Sequence, residues 1–123
     1  MKIGVLGGGQ LGRMLGMAAL PLAIDPVFWE PEASACAQLI GKHLCAPYED
    51  ANALAQFALD IDVCTYEFEN VPSPILTALA SQVPVYPPLA ALEVSQDRLT
   101  EKKLFEKLGI RTAPYASVNS EQG

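Results

Sequence analysis

A chain of 123 residues, half of them hydrophobic, can bury the core of one domain, which excludes general disorder. Fourteen acidic residues against eight Lys and Arg leave a formal net charge of -6, and no basic cluster breaks that balance, so no nucleic-acid partner is expected. No apolar run reaches the roughly 18 residues of a membrane span, and no signal-peptide pattern opens the chain, so the expectation is a cytoplasmic protein without a membrane partner.

Lys2 to Leu6 reads as a short buried strand. Three glycines follow, then a helix over Gln10 to Leu20, with Leu11, Met14, Leu15 and Ala18 at helical spacing. Pro21 closes that helix or opens the next turn. Ile24 to Trp29 is a second strand, made irregular or late by Pro26. Ala-rich Pro31 to Leu39 reads as a short helix, and His43 to Ala46 as a third strand. Asp50 is placed to cap a helix over Ala51 to Asp60.

Ile61 to Phe68 is rich in strand formers, Pro74 to Ala80 reads as a helix, and Val83 to Tyr86 as a last parallel strand. This alternation predicts an α/β fold, an open parallel sheet flanked by helices. After Pro87-Pro88 the character changes. Leu89 to Val94 is apolar, and Ser95 to Leu108 reads as one charged helix stopped by Gly109 in the C′ position. Ser117 to Gly123 looks like a turn leading elsewhere, and a piece of something longer is the expectation.

Gly7 to Gly12, G-G-G-Q-L-G, has the Gly-x-Gly-x-x-Gly spacing between a strand and a helix. Glycines there permit a tight turn and close ligand approach, and the unpaired N–H groups of the first helical turn attract negative charge. Three readings fit: a dinucleotide such as NAD or FAD, with Glu30 about 20 residues on as its ribose partner; a phosphate or carboxylate of another ligand; or tight packing alone. Gln10 adds an amide at the mouth of the loop, and Arg13, one turn on, is read as facing solvent. Arg13-Met14 stands where a P-loop needs Lys and a hydroxyl, so that class of ATPase is not expected. His43, the single histidine, is read as structural or surface. Cys36, Cys45 and Cys64 contain no Cys-x-x-Cys and read as reduced core thiols.

The stretch C-T-Y-E-F-E-N-V-P, Cys64 to Pro72, places Glu67 and Glu69 two apart after an apolar run. In an extended segment they face the same way, at the strand end where α/β sheets bind ligands. Such carboxylates can accept hydrogen bonds from an amine or a ribose hydroxyl, and two desolvated like charges would raise one pKa. Helix capping and solvent exposure are the alternatives, and Asn70 is assigned to cap the following helix or fix the loop. Asp97 with Glu101, and Arg98 with Lys102, are like-charged pairs four apart. Each disfavours an exposed helix, which hints at compensation by a partner domain or an anionic ligand.

Taken together, G-G-G-Q-L-G-R-M (Gly7 to Met14), T-Y-E-F-E-N-V-P (Thr65 to Pro72) and S-Q-D-R-L-T-E-K (Ser95 to Lys102) resemble the N-terminal part of the 5-(carboxyamino)imidazole ribonucleotide synthase family. These are the ATPase subunits of phosphoribosylaminoimidazole carboxylase in purine biosynthesis, within the ATP-grasp superfamily. The resemblance spans nearly the whole chain and departs from the family pattern around Leu20-Pro21-Leu22 and Asp25-Pro26.

It implies a Rossmann-like pre-ATP-grasp substrate-binding domain over residues 1–94. Residues 95–123 would then be a helix and connection to an ATP-grasp domain that is not here. It further implies a ligase that uses ATP and Mg2+ to join bicarbonate to aminoimidazole ribonucleotide through carboxyphosphate, homodimeric when full length and inactive as this piece. In that family's terms Gln10 and Leu11 contact the ribonucleotide, Glu67 faces the substrate amine with Glu69 in support, and Arg98 lies near ATP. The resemblance also turns the glycine loop from a dinucleotide to a phosphorylated substrate. The competing classes are an NAD- or FAD-binding oxidoreductase module and a non-catalytic interaction domain.

Overall fold

The structure is a computed structural model, and it describes residues 1–118. Four parallel strands form the sheet in the order β3-β2-β1-β4: β1 Lys2–Leu6, β2 Asp25–Trp29, β3 Lys42–Leu44 and β4 Val63–Tyr66. The helices are α1 Gln10–Ala19, α2 Ala51–Asp60, α3 Ser73–Ala80, α4 Leu89–Ser95 and α5 Arg98–Lys107. Period-two alternation sorts the strands' side chains between two faces. Leu6, Val27, Trp29 and Cys64 point into the larger core with Phe57 of α2, Leu76 and Leu79 of α3 and Leu92 of α4. Val5 and Phe28 point to the opposite face, where Ala37 joins them. No described helix is long and apolar enough to cross a membrane.

Pro26 sits inside β2 because its neighbours leave room for a residue without an N–H. Asp25 donates to Met1 O on the β1 side, and pairing with β3 begins only at Val27. The missing donor therefore faces a position with no strand beside it. Asp50 caps α2 as expected, accepting from the N–H groups of Asn52 and Ala53. Gly109 ends α5 at φ +71°, the left-handed C′ geometry that favours glycine.

Several expectations need correction. The helix expected over 31–39 is only a 3-10 turn, Cys36–Leu39. Its chain is held by a turn that Glu32 makes with the backbone and side chain of Ser34. The strand expected at 83–86 is a single parallel bridge, Cys64 to Val85. Its direction is right, but Pro84 lacks the N–H that would carry the ladder back past Cys64, and Pro87-Pro88 follow directly after Tyr86 and end it.

The charged helix expected over 95–108 starts at Arg98, because Asp97 turns outward to cap it by accepting from Thr100 N. Within that helix Arg98 pairs with Glu101, so part of the expected like-charge penalty is offset by the helix's own side chains. Of the thiols only Cys64 belongs to the core, where burial pushes it up to about 12; Cys36 is half-buried and Cys45 exposed. His43 is structural, its Nε2 2.9 Å from Glu30 O. The segment expected as a turn over 117–123 lies mostly outside the described residues.

The stripe Leu11, Met14, Leu15 and Ala18 is not the buried side of α1. The helix packs through Gly12, Gly16 and Ala19, because only small residues let it approach the sheet. A Cβ on Gly16 would stand 2.8 Å from Phe28 Cζ. Leu11, Met14 and Leu15 remain 59%, 62% and 45% exposed, an apolar face beside the carboxyl end of the sheet.

Candidate functional site

β1 and β4 are neighbours in the sheet but their following connections leave toward opposite faces: α1 covers one, α3 the other. A crevice opens where such connections diverge, and the glycine loop and Glu67 meet there. Gly7 turns the chain at φ +104° and donates from its N–H to Trp29 O at 3.0 Å. Gly12 lets α1 settle onto the loop, since a Cβ at that position would lie 2.7 Å from Gly7 O.

β4 ends at Tyr66, and the Glu67 N–H still reaches Leu6 O at 3.2 Å. The bend that begins at Glu67 carries its carboxylate over the loop. Glu67 Oε1 stands 2.9 Å from the Cβ position of Gly7, 3.5 Å from that of Gly9 and 3.7 Å from that of Gly12. The carboxylate therefore covers the N-terminus of α1, whose N-cap Gly9 offers no side-chain cap.

Partial burial holds the Glu67 pKa above the ordinary carboxylate value, and the negative charge of Glu30 pushes the same way; the N–H groups of Gly9 and Gly12 oppose both. Glu30, at the end of β2, accepts from Gly8 N at 3.0 Å with Oε2 and from Glu32 N at 3.1 Å with Oε1. Tyr48 closes the floor, donating to Trp29 O at 3.2 Å, and burial followed by the charges of Glu30 and Glu67 raises its pKa. Trp29 beneath is fixed by its Nε1 donation to Ala46 O at 2.8 Å and by rings of Tyr48 and Phe57 on two sides.

An open groove of about 490 Å³ runs from Glu67 along Thr65, Tyr66, Leu11, Met14, Leu15 and Ala18. It offers a flat apolar wall with one carboxylate at its end, an arrangement suited to a ring bearing a hydrogen-bond donor. Leu11 and Glu67 are thus brought together. Gln10 is exposed on the same first helical turn.

Glu69 does not share the facing of Glu67, because the strand has ended and Glu69 lies exposed in the following turn. Its carbonyl accepts from Gln96 Nε2 at 2.8 Å, so its backbone ties that turn to the end of α4. The like charge near Glu67 is Glu30, not Glu69. Asn70 does not cap α3 either: Pro72 is the N-cap, with no side-chain bond.

Arg98 lies elsewhere. It lines a pocket of about 390 Å³ with Leu99, Lys102, Tyr115, Ala116 and Val118, where the Lys102 ammonium sits 5.4 Å from the Tyr115 ring centre. Arg13 does not simply face solvent, since its Nε is buried and without a hydrogen-bond partner. Sequence reasoning weighed Glu30 only as a ribose partner and passed over Tyr48. The signal for Glu30 was its place after β2, beside the loop; nothing local in sequence marks Tyr48.

Comparison with known proteins identifies relatives of the whole chain. The family model described as the ribonucleotide synthetase preATP-grasp domain matches residues 1–96. N5-carboxyaminoimidazole ribonucleotide synthase of Pseudomonas aeruginosa is 46% identical over 121 residues, covering 98% of this chain and 34% of that protein. The crystal structure of N5-carboxyaminoimidazole ribonucleotide synthetase from Thermus thermophilus superposes with a TM-score of 0.90 at 46% identity, over 98% of this chain and 33% of that one.

A structure of N5-carboxyaminoimidazole synthase from Aspergillus clavatus, in complex with ADP and 5-aminoimidazole ribonucleotide, matches with a TM-score of 0.75 at 33% identity. It covers 92% of this chain and 31% of that one. The chain spans about a third of the length of the curated relatives it matches. By the span its family model matches, residues 1–96, the chain belongs to the ribonucleotide synthetase preATP-grasp domain family.

Proposed function

We propose that this chain is the N-terminal, ribonucleotide-holding domain of an ATP-dependent ligase. The ligase would carboxylate 5-aminoimidazole ribonucleotide with bicarbonate to N5-carboxyaminoimidazole ribonucleotide in purine biosynthesis. The observation that carries the reading is Glu67, a partly desolvated carboxylate at the switch point of the sheet, at the end of an apolar groove. The relative from Aspergillus clavatus, solved with ADP and the aminoimidazole ribonucleotide, supports it.

In the reaction, bicarbonate takes the terminal phosphoryl group of ATP to give carboxyphosphate and ADP. The substrate amine then attacks the carboxyl carbon, phosphate leaves, and one proton is lost from nitrogen. Glu67 accepts a hydrogen bond from that amine and orients its lone pair, while Leu11 and Met14 hold the ring against α1 and Gln10 contacts the ribose side. Glu69 supports the turn behind.

Of the ATP site this chain offers Arg98, with Lys102 beside it in the α5 pocket. On this reading Mg2+ and most of the ATP site belong to a region outside this chain; among the described residues no group of three His, Cys, Asp or Glu is placed to hold a metal ion. The division into a domain over 1–94 and a connection over 95–123, a homodimer of the full-length protein and a cytoplasmic location complete the reading. A dinucleotide module is disfavoured because Glu30 faces the loop N–H instead of an outside ribose.

The test is Glu67→Gln in the full-length polypeptide, assayed for bicarbonate-dependent carboxylation at saturating ATP. A hydrogen bond to a charged group contributes about 1.5–3 kcal/mol, so kcat/KM for the ribonucleotide should fall ~10- to 100-fold. An unchanged kcat/KM in a folded variant would move the amine contact elsewhere.

A further inference from the structure

We infer that Glu30 is a positioning and specificity-determining residue of this site, an internal anion that occupies the Gly8 donor of the glycine loop and presents Glu67 to an amine instead of leaving that donor to a phosphate. As a statement about catalysis this rests on the function proposed above; as a statement about the loop it stands by itself. The geometry of Gly8 carries it. Its N–H donates to Glu30 Oε2 at 3.0 Å, and its carbonyl accepts from Ala37 N at 3.0 Å and from the Cys36 thiol at 3.7 Å. Both halves of the peptide are thus used within the protein.

A Gly-x-Gly-x-x-Gly loop binds pyrophosphate by aiming such N–H groups outward. Here that direction is taken. A Cβ on Gly8 would lie 2.8 Å from Glu30 Cβ, so the side chain packs against the loop along its length. Glu30 is itself anchored: Oε1 accepts from Glu32 N, its N–H donates to Leu44 O at 3.1 Å, and its carbonyl lies 2.9 Å from His43 Nε2.

Glu67 covers the loop from the other side, over Gly7, Gly9 and Gly12. A phosphate entering between the two would meet two carboxylates and lose the Gly8 donor, whereas an amine or a ring N–H would meet acceptors. The groups that face Glu67 are Glu30 from the end of β2, Tyr48 from the segment before α2, and the Gly9 and Gly12 N–H groups of α1. Removing the charge of Glu30 leaves Glu67 easier to ionise.

Two variants separate bond from charge. Glu30→Gln keeps an oxygen for Gly8 N–H but removes the charge; Glu30→Ala removes both. In the 123-residue chain, the carbon-13 titration of the Glu67 carboxyl should move to lower pH in E30Q. The Gly8 amide resonance should stay near its wild-type position in E30Q and shift upfield in E30A. Inorganic pyrophosphate should perturb the loop amides of E30A and leave those of the wild type still.

A Glu67 titration and a Gly8 amide indifferent to both variants would overturn the inference, as would wild-type loop amides that respond to pyrophosphate as strongly as those of E30A. If E30A does not fold, E30Q and the wild-type pyrophosphate titration decide alone. Carboxylation by the full-length polypeptide is the separate arm. Its absence, with the loop results as expected, refutes the proposed function and leaves the role of Glu30 in the loop intact. In an active enzyme the acid limb of the kcat/KM profile should move to lower pH in E30Q, which a merely structural role would not produce.

Discussion

Gly7→Ala tests whether the loop and Glu67 are in mechanical contact. Gly7 has φ +104°, outside the conformations an L residue adopts easily. That term alone costs about 1–2 kcal/mol. The second term is steric: the new Cβ would meet Glu67 Oε1 at 2.9 Å, Cγ at 3.1 Å and Cδ at 3.2 Å, and contacts this short force the carboxylate away. Overpacking of this kind costs roughly 1–3 kcal/mol, toward the low end here because Glu67 is only partly buried. Gly7→Ala should therefore destabilise by about 2–3 kcal/mol in total.

The two terms separate in a double-mutant cycle with Glu67→Ala, which removes the clash and keeps the φ strain. In the Glu67→Ala background Gly7→Ala should cost about 1 kcal/mol less than in the wild type, a coupling of the size measured between touching residues. Urea denaturation of the four proteins supplies the numbers. Equal costs in both backgrounds would mean that Glu67 does not lie on Gly7, and the site geometry argued above would be wrong.

Asp50→Ala should cost about 1 kcal/mol in the same assay, since two N–H groups of the first turn of α2 lose their acceptor; a neutral result would mean that water replaces the cap in full. Asp60 bridges Lys2 at 2.6 Å and Lys42 at 2.5 Å across the amino end of the sheet, and these bonds hold its pKa below the ordinary value. A depressed carboxyl stabilises above its unfolded pKa and loses that contribution as pH falls through the folded value. Asp60→Asn should thus cost about 1 kcal/mol near neutral pH, an amount discounted for the half-exposed lysines, and the gap to wild type should close in acid; a gap that persists there would assign the loss to packing.

Local signals were enough for the elements that combine a strong period with a chemical stop. β1 before three glycines, α2 behind Asp50 and the Gly109 terminus were legible for that reason. The misread elements are those decided by partners distant in sequence. Val83 to Tyr86 has strand formers, yet the ladder depends on which N–H groups survive the prolines within and after it. The spacing of Leu11, Met14 and Leu15 did reveal the helix α1, but not which side it buries: the sheet accepts the glycine side, a preference that Phe28 sets from another strand.

In the candidate site the place of Glu67 at the carboxyl end of a strand was readable, although that strand, β4, is the edge of the sheet and not a central strand. Glu30 was not, because a carboxylate after β2 looks the same in sequence whether it faces a ribose outside or Gly8 inside. Only the register of β2 against β1 decides that, by bringing Trp29 level with Leu6.

Glu67 and Asp60 have pKa values displaced in opposite directions, so the charge of each should act on stability with opposite sign. Burial, with the charge of Glu30, keeps the Glu67 carboxyl above its ordinary value. A raised carboxyl binds protons more tightly in the folded than in the unfolded chain, so its penalty is absent below the unfolded pKa. It develops as pH rises from that value through the folded one. At neutral pH the wild type therefore retains a strained charge that Glu67→Gln lacks. The Gln oxygen can still accept from the N–H groups of α1, and its volume is the same.

Glu67→Gln should then be more stable than the wild type near neutral pH, by a few tenths of a kcal/mol after screening by the solvent that reaches the side chain. Near pH 4 the two should converge. Paired urea melts at the two pH values measure this, and the carboxylation assay on the full-length polypeptide should move the other way, losing activity where stability is gained. If Glu67→Gln is instead less stable at neutral pH and equal to wild type in acid, the Gly9 and Gly12 N–H groups together with the α1 dipole outweigh burial. Glu67 would then be a helix cap in an anion site, and the amine-facing role would fall with it.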